Sequence, residues 1–197
     1  SYNSAVGYNA LYANTNGGYN TVMGFEAQYS NNRSNTVAIG YRAAYSNNSD
    51  STISIGYESG YSANSSGNVA IGYQALRYAT GAGNLAIGYQ AAYSLSTGTY
   101  NDFIGNQAGY QLGSGSYNFG IGYQAGYSLT SGSSNISMGF RALYTVISGS
   151  YNTAIGNEAL KIYAGSGNLA IGYYTLRNAT GAGNLAIGYG SGQTITT

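Results

Sequence analysis

Few side chains in this sequence can perform acid–base, nucleophilic or metal chemistry. The 197 residues include no histidine and no cysteine, six Lys or Arg, and five Asp or Glu. An imidazole base, a thiolate nucleophile and a zinc site of the usual nitrogen and sulfur type are therefore excluded. The six basic residues are too few and too scattered to form a nucleic-acid binding surface. No apolar run approaches the length that spans a membrane.

Glu26 and Glu58 come nearest to a catalytic pair of carboxylates. In the repeat described below they lie two coils apart, which places them about 10 Å from each other. Glycoside hydrolases use two flanking carboxyl groups, but nothing else in the sequence supports that chemistry. A calcium-binding roll is excluded as well, because Asp50 and Asp102 are the only aspartates. We expect no enzyme activity, no metal and no cofactor.

Tyrosine is the abundant residue with binding chemistry, at 24 of the 197 positions. Its ring has an apolar face and its hydroxyl can form hydrogen bonds, a combination that suits sugars and cell-surface polymers. Eight tyrosines recur at one position of a sequence repeat, and this series is interrupted only where another residue takes that position. We interpret these eight as the candidate ligand surface: Tyr12, Tyr29, Tyr45, Tyr61, Tyr93, Tyr110, Tyr127 and Tyr144.

The whole chain is built from a repeat that closes on a glycine every 16 or 17 residues. Numbering positions from this glycine, position −1 is a large apolar residue in every copy, position −3 is usually apolar, and position −2 is usually small. Twelve copies at nearly constant spacing indicate a solenoid. The glycines are Gly7, Gly24, Gly40, Gly56, Gly72, Gly88, Gly105, Gly122, Gly139, Gly156, Gly172 and Gly188.

The alternation before the glycine predicts a short β-strand in each repeat. Aromatic, Ala and Tyr residues at +1, +3 and +5 predict a second strand after it, and Ser, Asn, Gly and Thr complete a turn. We therefore predict an all-β fold, a parallel β-roll or β-solenoid of twelve 16–17-residue coils, forming a single repetitive domain over residues 1–197. Asn at −4 is expected to form a ladder of stacked amides.

Assigning the large residues to the interior gives the expected core. Position −1 then points inward with +1 and +3, and the +1 ring packs inside or at the corner. Gln74 and Gln90 at +2 are expected on the surface. The core residues predicted in this way are Ile39, Ile55, Ile71, Ile87, Ile104, Ile121, Ile155, Ile171 and Ile187.

The small residues at −2 then point outward, where another backbone can approach closely. We interpret them as a contact between chains; the alternative is a thin, two-sided coil in which −2 is merely crowded by a loop. The candidate contact residues are Ala38, Ala70, Ala86, Ala154, Ala170 and Ala186.

Two coils depart from the pattern in the same way. Asp102 and Thr153 replace the apolar residue at −3, and Asn106 and Asn157 replace the aromatic residue at +1. On the same inside-outside assignment these coils have a more polar interior, which suits buried water or a ligand.

The segments Asn84-Leu85-Ala86-Ile87-Gly88 and Asn152-Thr153-Ala154-Ile155-Gly156 resemble the head repeat of YadA-type trimeric autotransporter adhesins. They are also similar to repeats in bacteriophage tail fibre proteins. The resemblance covers essentially the whole chain and implies a left-handed roll, a homotrimer with chains side by side, and a role in attachment. The repeat is longer and richer in tyrosine than the adhesin repeat, which leaves the host and the anchorage open.

These patterns favour a structural and adhesive fibre segment, part of a longer fibre, that attaches to a host or cell surface through many weak contacts. Its expected partners are copies of itself and a cell-surface glycan or matrix, with no nucleic acid and no membrane-spanning segment. Its expected location is extracellular, on a cell surface or a virion appendage. A self-assembling filament without a receptor remains an alternative, and an ice-binding solenoid is a weaker one because threonine forms no regular column.

Overall fold

Twelve three-residue strands form one parallel sheet in chain order. The structure is a computed structural model that describes residues 2–30, 32–162 and 165–195. The predicted all-β solenoid is confirmed, and the described residues contain no helix. The strands are β1 Ser4–Val6, β2 Thr21–Met23, β3 Val37–Ile39, β4 Ile53–Ile55, β5 Val69–Ile71, β6 Leu85–Ile87, β7 Asp102–Ile104, β8 Phe119–Ile121, β9 Ile136–Met138, β10 Thr153–Ile155, β11 Leu169–Ile171 and β12 Leu185–Ile187.

Equivalent residues of successive coils pair directly across the sheet. Ala70 lies opposite Ala86 and Ile71 opposite Ile87, and the same register holds at every strand pair. Residues that are 16 or 17 apart in the sequence therefore stack into straight columns along the rod.

The glycine after each strand is required by a close approach between coils. At Gly72 the backbone has φ = +133°, a conformation that side chains rarely adopt. A Cβ there would overlap the carbonyl oxygen of Gly88 in the next coil. The corner therefore tolerates only glycine, which explains the regularity of the repeat.

The predicted second strand is wrong. After the glycine the chain makes a series of turns, and positions +2 and +4 have left-handed backbone, as in Gln74 with φ = +53° and Leu76 with φ = +47°. Hydrogen bonds still join the coils here: the Gln74 amide donates to the Tyr57 carbonyl, and the Leu76 amide to the Ala91 carbonyl. The segment after the glycine, which forms the second wall of the coil beside the wall made by the sheet, is thus held by hydrogen bonds between coils although it is not a β-strand.

The predicted orientation of the strands is also wrong, because the small residue points inward. Ala70 and Ala86 are at most 1% exposed within a single chain, whereas the flanking residues at −3 and −1 lie on the outer surface. The isoleucines predicted as core are half-buried, and the last is exposed: Ile39, Ile55, Ile71, Ile87, Ile104, Ile121, Ile155, Ile171 and Ile187. The alanines predicted to touch another chain lie inside their own: Ala38, Ala70, Ala86, Ala154, Ala170 and Ala186.

The inversion follows from the thinness of the coil. Buried Ala at −2 and +3 lets the two walls come close, and a single buried leucine fills the remaining space in most central and C-terminal coils. That leucine comes from +4 in some coils, with Ala at +7 as in Leu76 and Ala79. In others it comes from +7, with Ala or Gly at +4 as in Leu95 and Ala92. Large residues therefore stay mostly outside, because the interior of a coil has room for one large side chain, or for two as at Leu143 and Val146.

The predicted asparagine ladder is confirmed. The Asn118 side chain donates to the Asn101 Oδ1 at 3.0 Å, and the Asn135 side chain donates to the Asn118 Oδ1 at the same distance. Each Oδ1 also accepts the backbone amide of the next asparagine, as at Asn135. The ladder satisfies polar groups that are buried beside the sheet, a requirement of any dry interior.

Candidate functional site

Two columns of aromatic rings run along the outside of the rod. The +5 column contains the eight tyrosines predicted as a ligand surface, in two runs of four with ring centroids 5.0–5.3 Å apart. Its rings are half-buried except Tyr12, which is exposed. Arg77 separates the runs and places its guanidinium 5.1 Å from the ring centre of Tyr61. Whether this column binds a ligand stays a prediction.

The +1 column is the more exposed of the two, so the expectation that it packs inside is wrong. Its rings run from Tyr8 through Phe25, Tyr41, Tyr57 and Tyr73 to Tyr89 with centroids 4.9–5.4 Å apart. Tyr57 and Tyr73 in the middle of this run are each 42% exposed. A rule that assigns large residues to the interior could not identify this surface.

Within both columns the rings lie face to face. In the first run of the +1 column the angles between consecutive ring planes are 15° or less. The ring faces are therefore occupied by neighbouring rings, and the surface presents ring edges and hydroxyl groups. Desolvation within the stacks raises the pKa of Tyr29, Tyr57 and Tyr127 above the ordinary tyrosine value, which keeps these phenols neutral.

A chain of amide side chains at +2 lies between the two aromatic columns. Gln74, Gln90 and Gln107 are half-buried, so the expected exposure of Gln74 and Gln90 is only partly met. Each donates its side-chain amide to the previous coil: Gln90 to Gln74 at 3.1 Å and Gln107 to Gln90 at 3.3 Å. The chain begins at Glu58, which accepts from Gln74, and continues through Gln124 to Arg141. We call this chain the amide ladder.

The cations of this surface lie between the rings of the two columns. The Arg42 guanidinium is 5.2 Å from the ring centre of Tyr41 at +1 and 5.3 Å from that of Tyr45 at +5. Its Nε also donates to the Glu26 carboxylate at 2.7 Å. Arg42 is thus held by both a carboxylate and two neighbouring aromatic rings.

Glu158 is the most strongly engaged carboxylate among the described residues. Lys161 Nζ and Arg177 Nε donate to it at 2.8 and 2.6 Å. Burial alone would raise the pKa of Glu158, but these two hydrogen bonds and the attraction of the two cations outweigh it and lower the pKa below the ordinary value. The arrangement joins two neighbouring coils, because Glu158 and Lys161 lie in one coil and Arg177 in the next.

Two gaps interrupt the +1 column. Asn106 takes the place of the ring between Tyr89 and Tyr123, and Asn157 does so between Phe140 and Tyr173. Asp102 and Thr153 in the same coils lie on the outer face of the sheet, so the expected polar interior at these coils is wrong. The interior is instead most apolar at the first of them, where Phe103 is fully buried.

The outer face of the sheet is aliphatic. Positions −3 and −1 project from it as two adjacent columns, which we call the aliphatic face, and Asp102 is its one charged residue. Ile53 and Ile136 at −3 are 37% and 39% exposed. Neighbours above and below shield each side chain, so these partial exposures add up to a continuous apolar strip along the rod.

The described part of the chain offers no enclosed chemistry. It contains no cluster of three or more His, Cys, Asp or Glu side chains able to hold a metal ion. It encloses no pocket. None of its segments forms a helix long and apolar enough to cross a membrane. Comparison with known family models, curated proteins and solved structures finds no match.

Proposed function

We propose that this chain is a structural and adhesive fibre segment whose rods associate side by side and attach to surfaces through many weak contacts. The aliphatic face carries the proposal. A solvated face of a sheet is normally polar, and a long exposed apolar strip marks an interaction surface.

The occupant that fits the aliphatic face is a second copy of the chain. Its side chains form ridges that repeat at about 4.8 Å along the rod, and only a surface with the same repeat can interlock with them over the whole length. The strip is about 55 Å by 10 Å, so two copies would bury on the order of 1,100 Å², close to the ~1,200 Å² at which specific interfaces begin. Three chains around one axis, as the adhesin resemblance implies, would cover all three faces.

Charge placed on the aliphatic face tests the association. Ile71→Lys with Ile87→Lys should produce folded monomers, because a lysine on the outer face does not disturb the coil interior but opposes close contact between chains. Sedimentation velocity would measure the oligomer and circular dichroism the fold. Ser94→Lys, an exposed position on another side of the coil, is the matched control and should leave the assembly intact. A wild-type protein that sediments as a monomer at all concentrations would refute the proposal.

Attachment is the second part of the proposal and is supported by the aromatic columns. Ring edges and hydroxyls repeat about every 5 Å along the rod, so weak contacts of one kind can act together through effective concentration. We place the fibre outside the cell, on a cell surface or virion, with a glycan or matrix polymer as its partner. Binding to a glycan array should weaken when Tyr110 and Tyr127 become serine.

A filament without a receptor is the alternative that the same surface supports. It requires only the aliphatic face and predicts side-by-side association with no retention on any glycan or cell surface. An ice-binding rod would need an outward column of threonine, and the outward −3, −1 and +1 positions contain only Thr21 and Thr153. The glycan-array experiment therefore distinguishes the adhesive fibre from the filament without a receptor. Sedimentation tests the side-by-side association that both proposals require.

A further inference from the structure

A third set of tyrosines lies at position −5 of the repeat, directly before the asparagine of the ladder. Three of them in the central and C-terminal coils, Tyr100, Tyr117 and Tyr151, are 57%, 62% and 73% exposed. Their hydroxyl groups form no hydrogen bond with the described residues. We call the whole set the −5 tyrosines: Tyr2, Tyr19, Tyr100, Tyr117 and Tyr151.

The backbone at position −5 is left-handed, which does not suit a tyrosine. Tyr100, Tyr117 and Tyr151 have φ of +54°, +58° and +60°, a conformation that is unfavourable for a bulky side chain. Glycine adopts it without strain. Four other coils do have glycine at this position: Gly67, Gly83, Gly167 and Gly183. Tyrosine at −5 is therefore a poor choice for the fold of an isolated chain.

Other left-handed residues of the coil gain something from the position they occupy. Leu76 at +4 is fully buried, and Gln90 at +2 donates its side-chain amide to Gln74 in the amide ladder. In these cases burial or a hydrogen bond compensates for the strained backbone. The −5 tyrosines have neither kind of compensation within their own chain.

Tyr151 has the least support of the three. Tyr100 and Tyr117 at least stack on each other at 5.4 Å, whereas no ring lies beside Tyr151 among the described residues. The space on its C-terminal side is open, because a Cβ built on Gly167 would have only Gly183 within 4 Å. A strained and exposed residue that its own chain does not need is best explained by a function.

The −5 tyrosines border the aliphatic face on the side opposite the +1 column. Position −5 precedes −3 by two residues, so the two Cα atoms are at most about 7.6 Å apart. The two ring positions also complement each other. Asn106 and Asn157 replace the +1 ring in two coils, and in these same coils Tyr100 and Tyr151 occupy −5. Every coil therefore has an aromatic ring on at least one border of the aliphatic face.

The aliphatic face alone falls just short of the area of a stable contact. Two copies would bury about 1,100 Å² there, and specific interfaces begin at ~1,200 Å². A fully buried tyrosine removes ~150–250 Å² from water. If three −5 rings of each copy lose on the order of 100 Å² each, the contact reaches the ~1,600 Å² of a standard interface.

We propose that the −5 tyrosines are the anchor residues of the contact between copies of this chain. Their rings extend the aliphatic face and pack against the aliphatic face of a second copy, with the hydroxyl groups at the rim. Tyrosine is suited to this place, because its ring packs on apolar surface while its hydroxyl can stay hydrated. The proposal rests on the side-by-side association proposed above and names the residues that determine its strength.

Replacement of these rings by glycine tests the proposal, because it should affect association and folding differently. Tyr100→Gly, Tyr117→Gly and Tyr151→Gly together should raise the dissociation constant of the assembly by about tenfold or more, as expected for interface anchors. Sedimentation equilibrium measures this change. Tyr78→Ser, which removes an exposed tyrosine outside the three sets of rings, is the matched control and should leave association unchanged.

The single variant Tyr151→Gly separates an anchor from a residue that stabilises its own coil. Its association should weaken, whereas its melting temperature should not fall when it is measured at a concentration where the chain is monomeric, because glycine relieves the left-handed backbone. A lower melting temperature with unchanged association would overturn the proposal.

The reverse substitution should have the opposite effect. Gly167→Tyr with Gly183→Tyr adds two −5 rings beside Tyr151, where the space is open. This variant should melt at a lower temperature as a monomer and associate more tightly than wild type. Association no tighter than that of wild type would overturn the proposal.

Comparison with the lysine variants distinguishes failure of the anchors from failure of the association itself. If Ile71→Lys with Ile87→Lys dissociates the assembly while the triple glycine variant assembles like wild type, only the role of the −5 tyrosines is refuted. A wild-type chain that remains monomeric would refute both the association and its anchors.

Discussion

The ring of Phe103 lies over Gly120, its partner in the neighbouring strand. The two residues are paired in register between β7 and β8, and a Cβ built on Gly120 would overlap the Phe103 ring. Gly109 makes room on the other side, where a Cβ would lie 2.7 Å from the same ring. One large residue at −2 is therefore accommodated by glycines at the positions it faces.

This relationship predicts strong coupling between Phe103 and Gly120. Gly120→Ala should destabilise the protein by about 1–3 kcal/mol through overpacking, and Phe103→Ala by about 3–5 kcal/mol through the cavity it leaves. The double variant should be more stable than the sum of the two losses, because alanine then faces alanine as at Ala70 and Ala86. Urea denaturation measures all three variants, and additive losses would contradict the packing described for the ring.

Neighbouring residues of β6 should respond in opposite ways to substitution. Ala86→Leu should cost about 1–3 kcal/mol, because it forces extra volume into a coil that holds one large residue. Ile87→Ala removes an outward side chain and should cost the isolated chain less than about 1 kcal/mol. Thermal unfolding at a concentration where the chain is monomeric would compare the two. A larger loss for Ile87→Ala would mean that the strand faces the other way.

The buried amide of Gln28 should weaken the N-terminal coils. Its side chain is fully buried, and neither its Nε2 nor its Oε1 has a hydrogen-bond partner among the described residues. Other coils have leucine at this position, as at Leu76. Gln28→Leu should raise the free energy of unfolding by about 1–3 kcal/mol by removing the unsatisfied amide.

Differential scanning calorimetry would detect this change as a higher melting temperature. Gln74→Leu serves as the control, because that amide is half-buried and hydrogen-bonded in the amide ladder. The control should not gain stability. A lower melting temperature for Gln28→Leu would show that the Gln28 amide is satisfied in solution.

Glu158 should make the stability of the C-terminal coils depend on pH. A carboxyl group with a lowered folded-state pKa contributes fully above its unfolded pKa, about 4.3 for glutamate, and the contribution is lost as the pH falls through the lower folded value. Glu158→Gln should cost on the order of 2 kcal/mol at pH 7. The difference from wild type should shrink towards zero in acid, as measured by urea denaturation between pH 7 and pH 3. An unchanged difference at pH 3 would show that the loss is due to packing rather than to charge.

The sequence was sufficient for the coil, the strand before each glycine and the asparagine ladder, because these depend on period and register. Twelve glycines at one spacing impose the stacking, and the stacking places Asn118 beside Asn101 whatever the rest of the coil does. Orientation depends instead on the distance between the walls. Ile87 lies outside and Ala86 inside because the two walls of the coil are close together. Alternation along a strand does not give the distance between the walls.

The sequence nevertheless contains some information about the distance between the two walls. Leu76 is followed by Ala79, and Leu95 is preceded by Ala92, so in several coils a leucine occurs with a small partner three residues away. Such compensation is expected only of side chains that share a buried space. The exposed +1 rings gave no comparable signal, because tyrosine suits both a core and a surface.

The register of the stacked columns has a consequence for how such a protein can change its length. Coils of 16 and 17 residues keep the same columns, because the additional residue falls in the polar turn between +7 and −5 and no pairing shifts. Removal or duplication of one whole coil would therefore preserve the columns and the strand register, except where side chains of neighbouring coils are matched, as Phe103 is to Gly120. A gene encoding this rod could gain or lose such units by recombination between repeats. Its length is then a trait that selection can adjust in steps of one coil, independently of the surface that each coil displays.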